Sequence, residues 1–169
     1  MRANGLTLAA FGDPARLTAV EIPDLTAGRL LIEVRAASIN AYDRKVADGA
    51  LRHAFEYDFP VTIGRDYAGV VAAVGAEVTR FRPGDAVFGY LGGPKLHRGT
   101  FATHLVVGET ECLTAKPEGV SFEQAACLPL SGVTALRCLD AVAPAAGEVV
   151  VVAGAPTPGA GTPAARPFS

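Results

Sequence analysis

The chain has 169 residues, 50% of them hydrophobic and 19% charged, with a net charge of −2; that composition allows one packed domain and argues against wholesale disorder or a basic nucleic-acid face. Its three cysteines, Cys112, Cys127 and Cys138, form no CxxC pair, which argues against a disulfide framework or a zinc knuckle. No apolar run reaches membrane-span length and the N-terminus does not read as a secretory signal, so a cytoplasmic protein with no membrane or nucleic-acid partner is expected.

Residues 17–22 form the first expected strand, closed by Pro23. In residues 29–38, Leu31, Glu33 and Arg35 interleave with Ile32, Val34 and Ala36, which predicts a strand with one core face and one wetter face. Residues 40–47 turn helical, with Gly49 as the stop. Two apolar runs, 60–63 and 67–74, are split by Gly64-Arg65-Asp66. Gly69 inside the second run predicts a bulge or a close backbone approach. Arg82-Pro83-Gly84-Asp85 is a turn, because Pro fixes φ and Gly reaches conformations other residues avoid. Residues 86–90 and 100–107 are further strands around a polar loop at 92–99. Strand length and spacing predict a small barrel-like β domain.

The pattern changes near Lys116-Pro117. Ser121-Phe122-Glu123-Gln124 has capping-box spacing. A helix follows, Pro129 interrupts it, and residues 131–141 resume it. Val149, Val150, Val151 and Val152 are successive β-branched residues and read as a strand buried on both faces, as in a parallel sheet. Residues 154–169 are rich in Pro and Gly and read as a disordered tail.

Several motifs occur together in a fixed order: Ala37-Ser38-Ile39-Asn40 with Asp43, Gly64 and Asp66 before Ala68-Gly69-Val70-Val71, Gly84-Asp85 before Val87-Phe88-Gly89, Gly99-Thr100-Phe101-Ala102, Lys116-Pro117, Leu128-Pro129, and Gly132 with Thr134-Ala135. In this order and spacing the chain resembles the medium-chain dehydrogenase/reductase superfamily, in its zinc-independent quinone oxidoreductase-like branch. The resemblance covers residues 1 to 153. It implies a mainly β fold with a few helices: a GroES-like, partly open β-barrel over residues 1–120, then a linking helix and one orphan Rossmann-type strand over residues 121–153. It also implies reduction of quinones or α,β-unsaturated carbonyls with NADPH, and a small hydrophobic carbonyl or quinone-like ligand.

Two departures from the family bear on chemistry. The zinc-using branch has Cys where this chain has Asn40, and Gly-His-Glu where it has Gly64-Arg65-Asp66. Arginine cannot ligate a metal, so no zinc is expected. The family's pyrophosphate-binding turn falls at residues 154–161, where Pro156 and Pro158 lack N–H donors. The chain ends at Ser169 without further Rossmann strands. The isolated chain is therefore expected to hold no nicotinamide cofactor and not to transfer hydride by itself. A truncated or frame-shifted gene and a working short form are both open.

The resemblance places Asn40 and Asp43 where the family's substrate and nicotinamide-ribose contacts cluster and Arg65 and Asp66 on the cleft floor; with Tyr42 of the same turn as Asn40, the residues Asp43, Arg65 and Asp66 are the cleft's acid–base and charge-stabilising groups. Each has a plainer alternative. Asn40 could cap the helix, Tyr42 could pack at the helix start, and Arg65 with Asp66 could form an ion pair. Thr134 matches a cofactor-facing position and is expected to be vestigial, bonding back within its helix. Phe55, Tyr57 and Phe59 are either core or a substrate entrance. Two further functions stay beside the reductase: a cofactor-independent cyclase, isomerase or lyase, and a non-catalytic binding module. An uncovered strand invites pairing, so Val149, Val150, Val151 and Val152 are expected to pair with a second copy as a homodimer, to add to the β domain's own sheet, or to be shielded by the tail.

Overall fold

The computed structural model describes residues 1–93, 95, 96 and 98–152; the tail expected at 154–169 lies outside them. One compact unit runs from Met1 to Gly132 and a second begins at Val133.

In the first unit, β1 (Arg2–Leu8) lies antiparallel between β2 (Arg16–Glu21) and β5 (Val61–Thr62). A larger sheet is built from β3 (Arg29–Ala36), β6 (Asp66–Val74), β7 (Ala86–Tyr90), β9 (His104–Gly108) and β10 (Leu113–Ala115). Its order is β10-β7-β6-β3-β9, with every neighbouring pair antiparallel. A short parallel pair joins β4 (Glu56–Tyr57) to β8 (Lys95–Leu96). The helices are α1 (Ala41–Ala47), α2 (Phe122–Ala126) and α3 (Pro129–Val142). The described fold is mainly β, with open sheets and three helices, as the sequence leads one to expect.

The alternation in β3 points Leu30 and Ile32 inward, where they join Tyr67, Val71, Val87, Leu105, Val107 and Leu113 in one buried cluster. Burying each aliphatic side chain is worth about 1.5–3 kcal/mol, so this cluster is what fixes the large sheet. Ala68 packs with Ala125 and Ala126 in a second cluster, which lets α2 sit close against β6. The capping box at Ser121 forms as spaced: Ser121 Oγ accepts the Gln124 N–H at 3.2 Å, and Gln124 Oε1 accepts the Ser121 N–H at 3.0 Å.

Three differences have physical causes. The sequence reading begins its strands at residue 17, yet β1 precedes it. The alternating buried positions of β1, Ala3, Gly5 and Thr7, are too small or polar to write a hydrophobic period, and the large buried side chain of the strand, Leu8, stands at its end. Pro129 opens α3 rather than interrupting a helix; at the first helical position its missing N–H has no intrahelical partner to lose. Finally, Val149, Val150, Val151 and Val152 form no strand. A strand needs a neighbour for its backbone hydrogen bonds, and none pairs with these residues among those described. Val149, Val151 and Val152 stand exposed rather than buried on both faces.

Candidate active site

Gly64, between β5 and β6, holds φ at +100°, and a Cβ there would lie 2.5 Å from the Phe101 ring and 2.6 Å from Thr100 Oγ1. Only glycine fits this turn. It delivers Arg65 and Asp66, both buried, to the head of β6. From the other side the loop after β3 brings in Ser38 and Asn40. Asn40 is the N-cap of α1, with extended backbone at φ −113° and ψ 155°.

Asp66 is fully buried and ties three segments together. Its Oδ2 accepts from Ser38 Oγ at 3.0 Å and from Asn40 Nδ2 at 2.9 Å, and its Oδ1 accepts the Leu130 N–H of α3 at 2.9 Å. The Asn40 side chain thus leans on Asp66. The plainer alternative for Arg65 and Asp66 was an ion pair, and none forms between them among the described residues. Successive residues of extended backbone point to opposite sides, so the two groups serve different neighbours.

Arg65 Nη1 donates to the Leu91 carbonyl and Nη2 donates to the Tyr42 hydroxyl. The guanidinium carbon lies 4.6 Å from the Tyr42 ring centroid and 5.7 Å from that of Phe55. The Phe55 ring meets Tyr42 edge-on at 5.7 Å between centroids. The three aromatics of this segment therefore divide. Phe55 joins the Tyr42–Arg65 group, whereas Tyr57 and Phe59 pack with Phe11.

Asp43 is buried at the third position of α1, and its Oδ2 accepts the Asn40 N–H at 2.7 Å. Burial pushes its carboxyl above the ordinary value of 3.8; the Asn40 bond opposes this, the Asp66 charge adds to it, and Arg65 opposes it. A raised folded-state value means the native protein holds this proton more tightly than the unfolded chain. Stability present at low pH is therefore lost as pH rises through the folded-state value. Asp43→Asn keeps an amide oxygen for the Asn40 N–H and cannot ionise. We expect its Tm to exceed the wild type's at pH 7, with the gap closing towards about pH 3. Thermal melts across that range check it; a gap that widens on acidification would contradict the assignment.

Asn40, Tyr42, Asp43, Arg65 and Asp66 are thus brought together by α1 and the head of β6. Thr134 lies on α3 beyond the first unit and is exposed. Sequence reasoning did not single out Ser38, the Leu91 carbonyl or the Leu130 N–H as parts of the site. Ser38 stood in a quoted motif; the other two are backbone groups that carry no residue signature. Among the described residues no group of three His, Cys, Asp or Glu is placed to hold a metal, and no helix is long and apolar enough to cross a membrane.

The open antiparallel sheet with its short helices fits a GroES-like domain. Residues 26–118 match the alcohol dehydrogenase GroES-like domain, and the chain belongs to that family, within the medium-chain dehydrogenase/reductase superfamily. It is 35% identical over 140 residues to the 2-methylene-furan-3-one reductase of Solanum lycopersicum, covering 80% of this chain and 35% of that protein. It is 34% identical over 127 residues to a chloroplastic quinone-oxidoreductase homolog of Spinacia oleracea, covering 75% of this chain and 38% of that one. The quinone oxidoreductase structure from Coxiella burnetii superposes with a TM-score of 0.74 at 30% identity, over 83% of this chain and 45% of its own. The chain therefore spans less than half the length of these relatives.

Proposed function

We propose that this chain is the substrate-binding part of a zinc-independent reductase of quinones or α,β-unsaturated carbonyls. The observation that carries the reading is the cluster at the head of α1: half-buried Tyr42 takes a hydrogen bond from the buried Arg65 cation, and half-buried Asn40 donates to the buried Asp66. The carbonyl oxygen of a ligand would be held by the Tyr42 hydroxyl, and Asn40, steadied by Asp66, would frame the other side. Polarisation by hydrogen-bond donors replaces polarisation by a metal, since a guanidinium has no lone pair to offer zinc and repels a cation. Reductases of this kind draw hydride from NADPH. Among the described residues the parallel pairing is the two-residue β4–β8 contact, and no strand–turn–helix unit for a dinucleotide is among them, which supports a division of labour. The reading therefore assigns this chain the carbonyl and leaves hydride delivery to a nucleotide-binding domain.

The test is a titration of the purified chain followed by NMR chemical shifts, with duroquinone, then NADPH, then NADH. Shifts at Asn40, Tyr42 and Phe55 with duroquinone, and none with either nucleotide, are expected. No response to duroquinone would sink the substrate assignment, and tight NADPH binding would sink the division of labour. A cofactor-independent isomerase or lyase is the second reading. It is favoured by Asp43, a buried carboxyl held above its ordinary range, and deuterium exchange into a bound ketone would reveal it.

A further inference from the structure

We propose that Arg65 is a positioning residue that locks the Tyr42 hydroxyl as an outward-facing donor, with Phe55 holding the guanidinium in place, so that the site selects ligands carrying a hydrogen-bond-accepting carbonyl oxygen. The inference rests on the carbonyl-binding reading above and adds a direction to it.

The direction follows from the chemistry of the pair. A guanidinium carries only donors, whereas a phenol has one O–H donor and lone pairs that accept. In the contact between Arg65 Nη2 and Tyr42 Oη, Arg65 must therefore donate and Tyr42 must accept. The Tyr42 proton cannot point at Arg65. The hydroxyl pair Thr7 and Thr18, 3.0 Å apart, has no such polarity, since either oxygen can donate there.

Arg65 is held against rotation. Its Nη1 donates to the Leu91 carbonyl, and the Leu91 N–H donates to the Arg65 carbonyl at 2.8 Å. One residue thus anchors both the backbone and the side chain. Two aromatic rings lie against the guanidinium, and Phe55 meets Tyr42 edge-on. Arg65 is 6% exposed, so its hydrogen bonds act in a medium that strengthens them. It enters none of the ion pairs found among the described residues. A phenol oxygen that accepts a charge-assisted bond becomes a better O–H donor. Tyr42 is half-buried, which leaves part of the residue open to a ligand. As a bound enone or quinone takes on negative charge at oxygen, the same donor serves it better.

The probe must not alkylate thiols, because Cys112, Cys127 and Cys138 are all exposed. Acetophenone and α-methylstyrene have nearly the same shape and differ in a carbonyl oxygen against a methylene. Affinities of the full chain for both, from NMR titration, give a carbonyl preference for each variant. The wild type is expected to prefer acetophenone about 5–10-fold. Tyr42→Phe should abolish the preference. Arg65→Lys keeps the charge but cannot hold Leu91 and Tyr42 in one fork, and it should remove most of the preference. In the Tyr42→Phe background Arg65→Lys should change nothing further. If Arg65→Lys does not fold, Phe55→Leu replaces it, with a smaller drop expected in the wild type and none in the Tyr42→Phe background. An Arg65→Lys or Phe55→Leu effect of equal size in both backgrounds would overturn the inference while leaving carbonyl binding intact. A preference that survives Tyr42→Phe would also overturn it. Failure of the wild type to bind either probe, with duroquinone also unbound, would instead remove the underlying reading.

Discussion

Asp66→Ala is expected to destabilise the first unit by about 4 kcal/mol, because removing a buried acceptor leaves three donors unsatisfied. Asp66 has no exposed surface and accepts three donors from three segments: Ser38 and Asn40 ahead of α1, and the Leu130 N–H at the start of α3. Alanine strands all three. Hydrogen bonds to a charged acceptor are worth about 1.5–3 kcal/mol each, and water reaching the half-buried Ser38 and Asn40 recovers part of the loss. Asp66→Asn keeps one acceptor oxygen and should cost about half as much. Urea unfolding of the three proteins measures this. A loss below about 1 kcal/mol for Asp66→Ala would mean that the ties are not cooperative. The substitution also removes a negative charge that helps raise the Asp43 carboxyl, so the acid side of the stability profile should move with it.

Gly69→Ala is the second large effect, expected at about 3 kcal/mol from overpacking. A Cβ at Gly69 would lie 2.2 Å from the Glu33 carbonyl oxygen and 2.9 Å from Ile32 Cγ2. The first contact is with backbone of β3, the strand paired to it at the centre of the sheet, and cannot be relieved by a rotamer change. The register slips beside this point, from Val34 opposite Gly69 to Ala36 opposite Ala68. The glycine therefore makes room for the close approach of β3 beside the bulge. Gly84→Ala supplies the contrast. Nothing lies within 4 Å of its Cβ position, but φ is +97°, so strain alone should cost about 1–2 kcal/mol. Equal losses at the two positions would refute the steric account of Gly69.

A lone glycine in an apolar run marks a bulge or a close approach, and at Gly69 the structure has both. The strands written in large alternating side chains, β3 above all, were legible for the same reason: their period is visible. β1 was not, because Ala3, Gly5 and Thr7 fill its alternating buried positions. The candidate site was legible through motif resemblance as far as its side chains. The Leu91 carbonyl and the Leu130 N–H were not, since any residue offers those groups and they lie 26 and 64 residues from their partners.

Residue order alone carries the alternation of β3, the glycine turn at Gly84, the cap at Ser121 and the family resemblance. These depend on local sterics and on periodicity, which the order of residues carries directly. Tertiary structure alone decided who meets whom. It gave Arg65 to Tyr42 and Leu91 rather than to Asp66, and it set Phe55 apart from Tyr57 and Phe59. It also left Val149, Val150, Val151 and Val152 without a strand. A hydrogen bond needs a partner in space, and four β-branched residues can favour an extended backbone without supplying the neighbour that would make it a sheet.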